Sequence, residues 1–263
     1  MPHAMTGAAR QGGSMTTTST PEAAAVDVTD RPRLPEGDDE RFTGFGVLGL
    51  AFRGGDYLAL RVMTATSIGP GYRAVWHRTP AGSWHMFTTT DPAHSCPRYF
   101  SSEASYERVA AIDLRWRDAA RLEVRIPGVL TWAIAMQATP ATQAMSALGT
   151  ALPSAARRSV PLLAAMGPMS RPMLRIGRMR MVGVAPNRQR FLVVPTRVWR
   201  ISGSSAALRG TDLGPIGGLD RQTRLGSFWM PQRGLFYVGD ARFSTFDPAR
   251  HAPVGDLASD PRP

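Results

Sequence analysis

The segment Thr79-Pro-Ala-Gly82 constrains this chain more than any other four residues. It joins Tyr72-Arg-Ala-Val-Trp-His-Arg78 to Ser83-Trp-His-Met-Phe-Thr88, two runs of aromatic and β-prone residues. Pro80 suits the first central position of a type I turn, and Gly82 suits the left-handed position that follows it. The resulting hairpin sets Thr79 opposite Ser83, so His77 faces His85, with Arg73, Val75 and Phe87 on the same side. Trp76 then faces Met86 and Arg78 faces Trp84 on the other side. A two-residue loop would slip the register and part the histidines, so the face assignment rests on the turn.

Two facing imidazoles are either half-buried strand residues or the beginning of a site. As a site they would serve as acid and base on a bound substrate, their pKa values separated by mutual repulsion. Asp91, His94 and Cys96 arrive from the following connector. The candidate catalytic residues are therefore His77, His85 and Asp91, with Arg73 and Phe87 as ligand contacts on the same face. Tight metal-ligand spacing is missing, so no metal is expected. His94 and Cys96 would share a side of an extended backbone. A Cys-His nucleophile needs a stabilised thiolate, and Arg98 is close in sequence; the competing reading is a thiol packed as a small hydrophobe.

Composition removes several chemistries. All 31 basic residues are arginine, since the sequence contains no lysine. Schiff-base catalysis, a phosphate-loop lysine and a Ser-Lys dyad are thereby excluded. One cysteine rules out an intrachain disulfide and any multi-cysteine zinc site. The first residues are polar where a signal peptide would need an apolar core, so the expected location is cytoplasmic, with membrane association as an option. From Val124 to Thr211 there is no Asp or Glu, while twelve arginines occur. A surface built from that half is positive and attracts anions.

The chain divides into a tail over residues 1–40, one β-rich domain over 41–246, and a second tail over 247–263. The tails are rich in small and polar residues and read as disordered. Gly44-Phe-Gly-Val-Leu-Gly49 matches a GxGxxG string, but no helix follows it, so a dinucleotide fingerprint is rejected. Strands are expected at Tyr57–Met63, Val109–Trp116, Arg121–Ile126 and Val129–Ala138, and again at Met179–Val184, Arg190–Val194, Trp199–Ser202 and Leu235–Phe243. Between them, from about 140 to 176, lies a helical insertion, opened by Thr139 as cap with Pro140 in the first turn and continued by a second start at Ser154. Ile126 to Ala156 carries no charge, but its prolines, Gln137 and Gln143 argue against a membrane span. The expected class is mainly β: an antiparallel calycin- or lipocalin-like barrel, or a curled sheet, with a helical insertion.

In the insertion, Met145 and Met166 could line an adaptable apolar pocket, and Arg157 and Arg158 could meet an anionic end. The expected partner is an apolar or amphiphilic small molecule, such as a lipid, isoprenoid or polyketide, with peripheral contact to an anionic membrane. Nucleic acid is not expected, because the basic half holds only Trp132, Phe191 and Trp199 as aromatics. No cofactor is expected. The functional expectation is binding of such an anionic molecule in a β-barrel cavity. The alternative is acid-base catalysis on it, as a hydratase, isomerase or cyclase.

The strings Gly69-Pro-Gly-Tyr72, Val75-Trp-His-Arg78, Ser95-Cys-Pro-Arg-Tyr-Phe100 and Phe228-Trp-Met-Pro-Gln-Arg-Gly-Leu235 resemble those of a family of uncharacterised bacterial proteins. The strand-rich layout also resembles, loosely, the lipocalin-like folds of carotenoid 1,2-hydratase and AttH-type proteins. That likeness implies a fold and supplies no catalytic residue.

Overall fold

The turn at Pro80 forms as its residues require. Gly82 adopts φ +99°, its N–H donates to Thr79 O at 2.9 Å, and Thr79 N–H donates to Ser83 O at 2.9 Å. The computed structural model of the protein describes residues 19–153 and 155–254, with the backbone alone for residues 169–173. In chain order the elements are α1 (Pro21–Asp30), β1 (Glu40–Ala51), β2 (Tyr57–Thr66), β3 (Tyr72–Arg78), β4 (Trp84–Thr88), α2 (Pro97–Phe100), β5 (Ala104–Arg108), β6 (Asp113–Asp118), β7 (Arg121–Ile126) and β8 (Leu130–Gln137). They continue with α3 (Pro140–Ala151), α4 (Val160–Leu174), β9 (Val182–Val184), β10 (Arg190–Leu208), β11 (Thr211–Asp212), β12 (Arg224–Leu225), β13 (Phe228–Trp229) and β14 (Leu235–Phe243).

All strands but β12 and β13 belong to one twelve-stranded sheet, ordered β5-β4-β3-β2-β1-β14-β10-β8-β7-β6, with β9 and β11 added against β10. The sheet curls but does not close: β5 and β6 remain its two ends, so the barrel alternative is corrected to an open curled sheet. Nor is it wholly antiparallel. β4 and β5 pair in parallel, because α2 and its flanking turns carry the chain back before β5 begins. Curling comes from register breaks in β1 between Val47 and Gly49, and in β10 after Pro195 and Ile201, each of which bends its strand. The glycine string lies inside β1. A Cβ on Gly44 or Gly46 would sit 1.9 or 2.1 Å from the carbonyl oxygens of Val62 and Leu60, so these glycines permit close strand approach.

Each face of the curled sheet buries its own core. One holds Val47, Leu60, Val75, Phe87, Trp132 and Phe236, with α1 packed onto it through Ala24, Ala25 and Val28. The stretch read as an N-terminal tail is therefore structured from Thr20, whose side chain caps α1 at Ala23 N, and Pro21 opens the helix. The other face holds Phe42, Trp76, Trp84, Met86, Tyr99 and Phe100. Trp76, Trp84 and Met86 pack on α2 and Phe228, not on α3 or α4. The helical insertion is present as α3 and α4, with a capping box between Thr139 and Thr142; Ser154 lies outside the described residues. Residues 126–156 hold the end of β7, then β8 and α3, and no described helix is long and apolar enough to cross a membrane.

Candidate functional site

The hairpin register places His77 opposite His85. Each imidazole is held by a neighbour. His77 Nε2 lies 2.7 Å from Asp56 Oδ1, both side chains largely buried. Asp56 leads into β2, and because Leu58 pairs with His77, the carboxylate two residues earlier falls on the same face. His85 Nδ1 bonds Ser105 Oγ at 2.6 Å across the β4–β5 pair. Its Nε2 has no hydrogen-bond partner and lies 3.6 Å from Glu107 Oε2, close enough for attraction between charges but not for a hydrogen bond. Burial pushes the His85 pKa below the ordinary histidine value, more than Glu107 raises it. None of the main cavities among the described residues is lined by either imidazole.

The remaining candidates are dispersed. Asp91 caps the short turn Pro92–His94, its Oδ1 accepting from Ala93 N at 2.8 Å, so the carboxylate on the histidine pair is Asp56 and not Asp91. Arg73 is exposed and donates to Ile112 O at 2.7 Å, while Phe87 is buried against the His85 ring. Met166 is buried with Leu163 and Met181, and Met145 packs beside them. Arg157 donates to Leu152 O and Thr150 O and so ties down the end of α3; Arg158 reaches Glu36. His94 is exposed and Cys96 buried, so the two do not form a dyad.

A site with stronger unmet demands lies on the opposite face of the same hairpin. β2 alternates Leu58, Leu60 and Val62 into one core with Tyr57, Ala59 and Met63 into the other, and Arg61 falls among the latter at 5% exposure. Its guanidinium donates to Val47 O at 2.6 Å, Leu60 O at 2.9 Å and Leu48 O at 3.2 Å. Two of these carbonyls belong to the bulged part of β1, where ladder pairing lapses. The guanidinium also lies over the Trp76 ring at 4.5 Å and faces Tyr237 at 5.8 Å. No carboxylate among the described residues pairs with it.

Arg61 borders a cavity of about 50 Å³ whose walls include Tyr72, Trp76, Cys96, Tyr99, Phe228 and Tyr237. Trp76 Nε1–H is buried there with no acceptor among the described residues but the weak one that the Cys96 thiol offers. The Tyr72 hydroxyl and Cys96 Sγ lie 3.3 Å apart. Burial pushes the Cys96 thiol up, against the opposing pull of Tyr72, Arg61 and the Trp76 N–H, and raises Tyr72 and Tyr237 as well. The cavity thus presents neutral hydroxyl, thiol and indole groups around one fixed cation. Behind its wall, Glu40 accepts from Tyr99 at 2.5 Å, from Arg98 at 2.7 and 3.2 Å and from Gln189 at 3.0 Å. That carboxylate is fully engaged and leaves Arg61 alone. The sequence signal for the site was one charge between Leu60 and Val62, in a strand apolar on both faces.

No protein-family model matches the chain, and no curated protein matches it significantly. Among solved structures it is similar to acetoacetate decarboxylase from Legionella pneumophila subsp. pneumophila str. Philadelphia 1. The TM-score is 0.40 at 9% identity, covering 89% of this chain and 97% of that one. The likeness is distant and carries nothing about the chemistry of this chain.

Proposed function

We propose that the protein binds a small apolar carboxylate, with the carboxylate on Arg61 and its apolar part among Trp76, Tyr72 and Tyr237. One observation carries this reading: Arg61 is a buried cation with no anion beside it among the described residues. A guanidinium keeps its charge when buried, and desolvating it costs several kcal/mol unless a counter-charge is supplied. Three carbonyls orient it but contribute no negative charge. A carboxylate entering the cavity would supply that charge, offer the Trp76 N–H a stronger acceptor than the Cys96 thiol, and find N–H capacity left over from the five that arginine offers. About 50 Å³ is room for roughly two waters by their share of liquid volume, which fits a carboxylate head.

The test is calorimetric titration with butyrate and its neutral isostere butyramide. Butyrate should bind and butyramide should not. Arg61→Gln, which keeps donors for the carbonyls but removes the charge, should weaken butyrate by about 30-fold or more, as expected for losing one partner of a buried charge pair. Equal affinity for acid and amide in the unaltered protein would end the proposal.

The acid-base alternative at His77 and His85 is favoured by one observation, the 2.7 Å contact between His77 and Asp56, which is how a carboxylate orients a working imidazole. It requires turnover of a bound carboxylate that His77→Ala and His85→Ala each abolish, with the fold retained. Binding alone leaves butyrate affinity unaltered in both variants.

A further inference from the structure

The Arg61 cavity is too small for more than the head of a ligand, yet it does not stand alone. Its wall of Leu48, Val193 and Phe228 also borders a void of about 20 Å³ on the far side. That void shares Met179, Arg180, Met181 and Trp229 with an open groove of about 430 Å³ beside α4. Two walls of side chains, with the small void between them, therefore separate the buried cation from a groove several times larger.

Phe228 in the first wall, and Trp229 at the groove, sit together on β13. The β12–β13 hairpin is outside the main sheet, and an isolated two-stranded hairpin is only marginally stable in water. Gly226, at φ +56°, makes its tight turn. Side-chain bonds hold it down at two points, Trp84 Nε1–H to Arg224 O at 3.3 Å and the Ser227 hydroxyl to Val184 O. Swinging Phe228 aside leaves the strand ladder of the curled sheet intact and gives up its ring contacts with Trp76, Phe100 and Phe191.

The groove end is cationic. Arg178 lies over the Trp229 ring at 5.3 Å and Arg224 at 5.9 Å. Arg178 and Arg180 are exposed, and neither pairs with a carboxylate among the described residues. The stretch that contains them has no Asp or Glu between Val124 and Thr211. Ala164, Met181 and Val182 line the floor between.

We infer that this groove is a second subsite for the same ligand, an elongated molecule with an anion at each end. One carboxylate rests on Arg61, the chain passes Phe228 and then the wall of Met179 and Trp229, and the distal anion is met by Arg178 and Arg180. The inference rests on the carboxylate reading of Arg61 and adds the ligand's length and second charge.

The experiment titrates the full chain with adipate, suberate, sebacate and dodecanedioate, each against its monoacid: hexanoate, octanoate, decanoate and dodecanoate. One diacid should bind about 10-fold more tightly than its monoacid, the gain expected from one charge-assisted contact at the groove. In the Arg178→Ala/Arg180→Ala double variant that diacid should bind like its monoacid. If no diacid gains at any length, or the gain survives the double substitution, the groove is not a subsite, while Arg61-dependent binding of the monoacids still upholds the first reading. If neither series binds, both fall together.

Discussion

The two faces of the β3–β4 hairpin differ in a way that residue type conceals. The histidine face carries the side chains most associated with catalysis, and its imidazoles are engaged: His77 by Asp56, His85 by Ser105. The aromatic face looks like ordinary core, yet among the described residues it buries a guanidinium without a counter-ion and an indole N–H with no acceptor but a thiol. Buried polar groups are nearly always partnered in folded proteins. Unmet capacity is therefore the better pointer to a ligand, and reactivity of the residue type the poorer one. The orphan atom on the histidine face, His85 Nε2, still has Glu107 at 3.6 Å.

The largest effect should come from the satisfied ion pair that stands behind the aromatic face. Burial works to raise the Glu40 pKa, but the bonds from Arg98, Tyr99 and Gln189 outweigh it and hold the carboxyl below its ordinary value. Glu40→Ala leaves Arg98 half-buried without its partner and should cost about 3–5 kcal/mol in denaturant unfolding at neutral pH. The sign with pH follows: the stabilisation is complete above the ordinary carboxylate value and is lost as pH falls through the lowered folded-state value. A cost below about 1 kcal/mol would mean the pair is screened like a surface one, and the contrast between a met and an unmet charge would vanish.

Next in size is His77→Ala. It strips a hydrogen bond from the largely buried Asp56 carboxylate and should cost about 1–3 kcal/mol of stability. Butyrate affinity should stay as it was, because His77 faces the other core. A fall in affinity comparable to that of Arg61→Gln would show that the two faces are coupled and would return the histidines to the site.

The legible parts of the molecule were those whose signals are local. Pro80 and Gly82 sufficed for the hairpin register, and Thr139 with Pro140 for the start of α3. α1 was missed because Ala24, Ala25 and Val28 are too small to look like a buried face, although Thr20 and Pro21 already marked its start. β5 was missed because its parallel pairing depends on α2 turning the chain, and whether the sheet closes depends on bulges that no local pattern announces. At the site, Asp56 was readable once β2 is set against β3, since it shares a face with Leu58 and His77. Arg61 was visible as a lone charge in an apolar strand. Its lack of a counter-ion was not, because that depends on Glu40 being claimed by Arg98, Tyr99 and Gln189, residues far from it in sequence.

The smallest effect, and the finest test of the comparison, concerns His85. Its folded-state pKa is lowered chiefly by burial, with Glu107 opposing and His77 and Arg209 assisting. The unfolded chain should titrate near the ordinary histidine value of 6.5, so between that value and the lowered one the unfolded state binds more protons. His85 thus contributes stability that is complete above 6.5 and is lost as pH falls through its folded-state value. His85→Gln keeps a donor for Ser105 and should change stability by less than about 1 kcal/mol at neutral pH. It should also remove this component of acid sensitivity, so the gap between wild type and variant narrows or reverses on mild acidification. Denaturant unfolding of both proteins across that range measures it. A gap that widens on acidification instead would mean that Glu107 raises the His85 value in the fold and holds the proton there. The histidine face would then contain an ion pair able to hold a proton for chemistry, and the claim that its groups are already spoken for would fail.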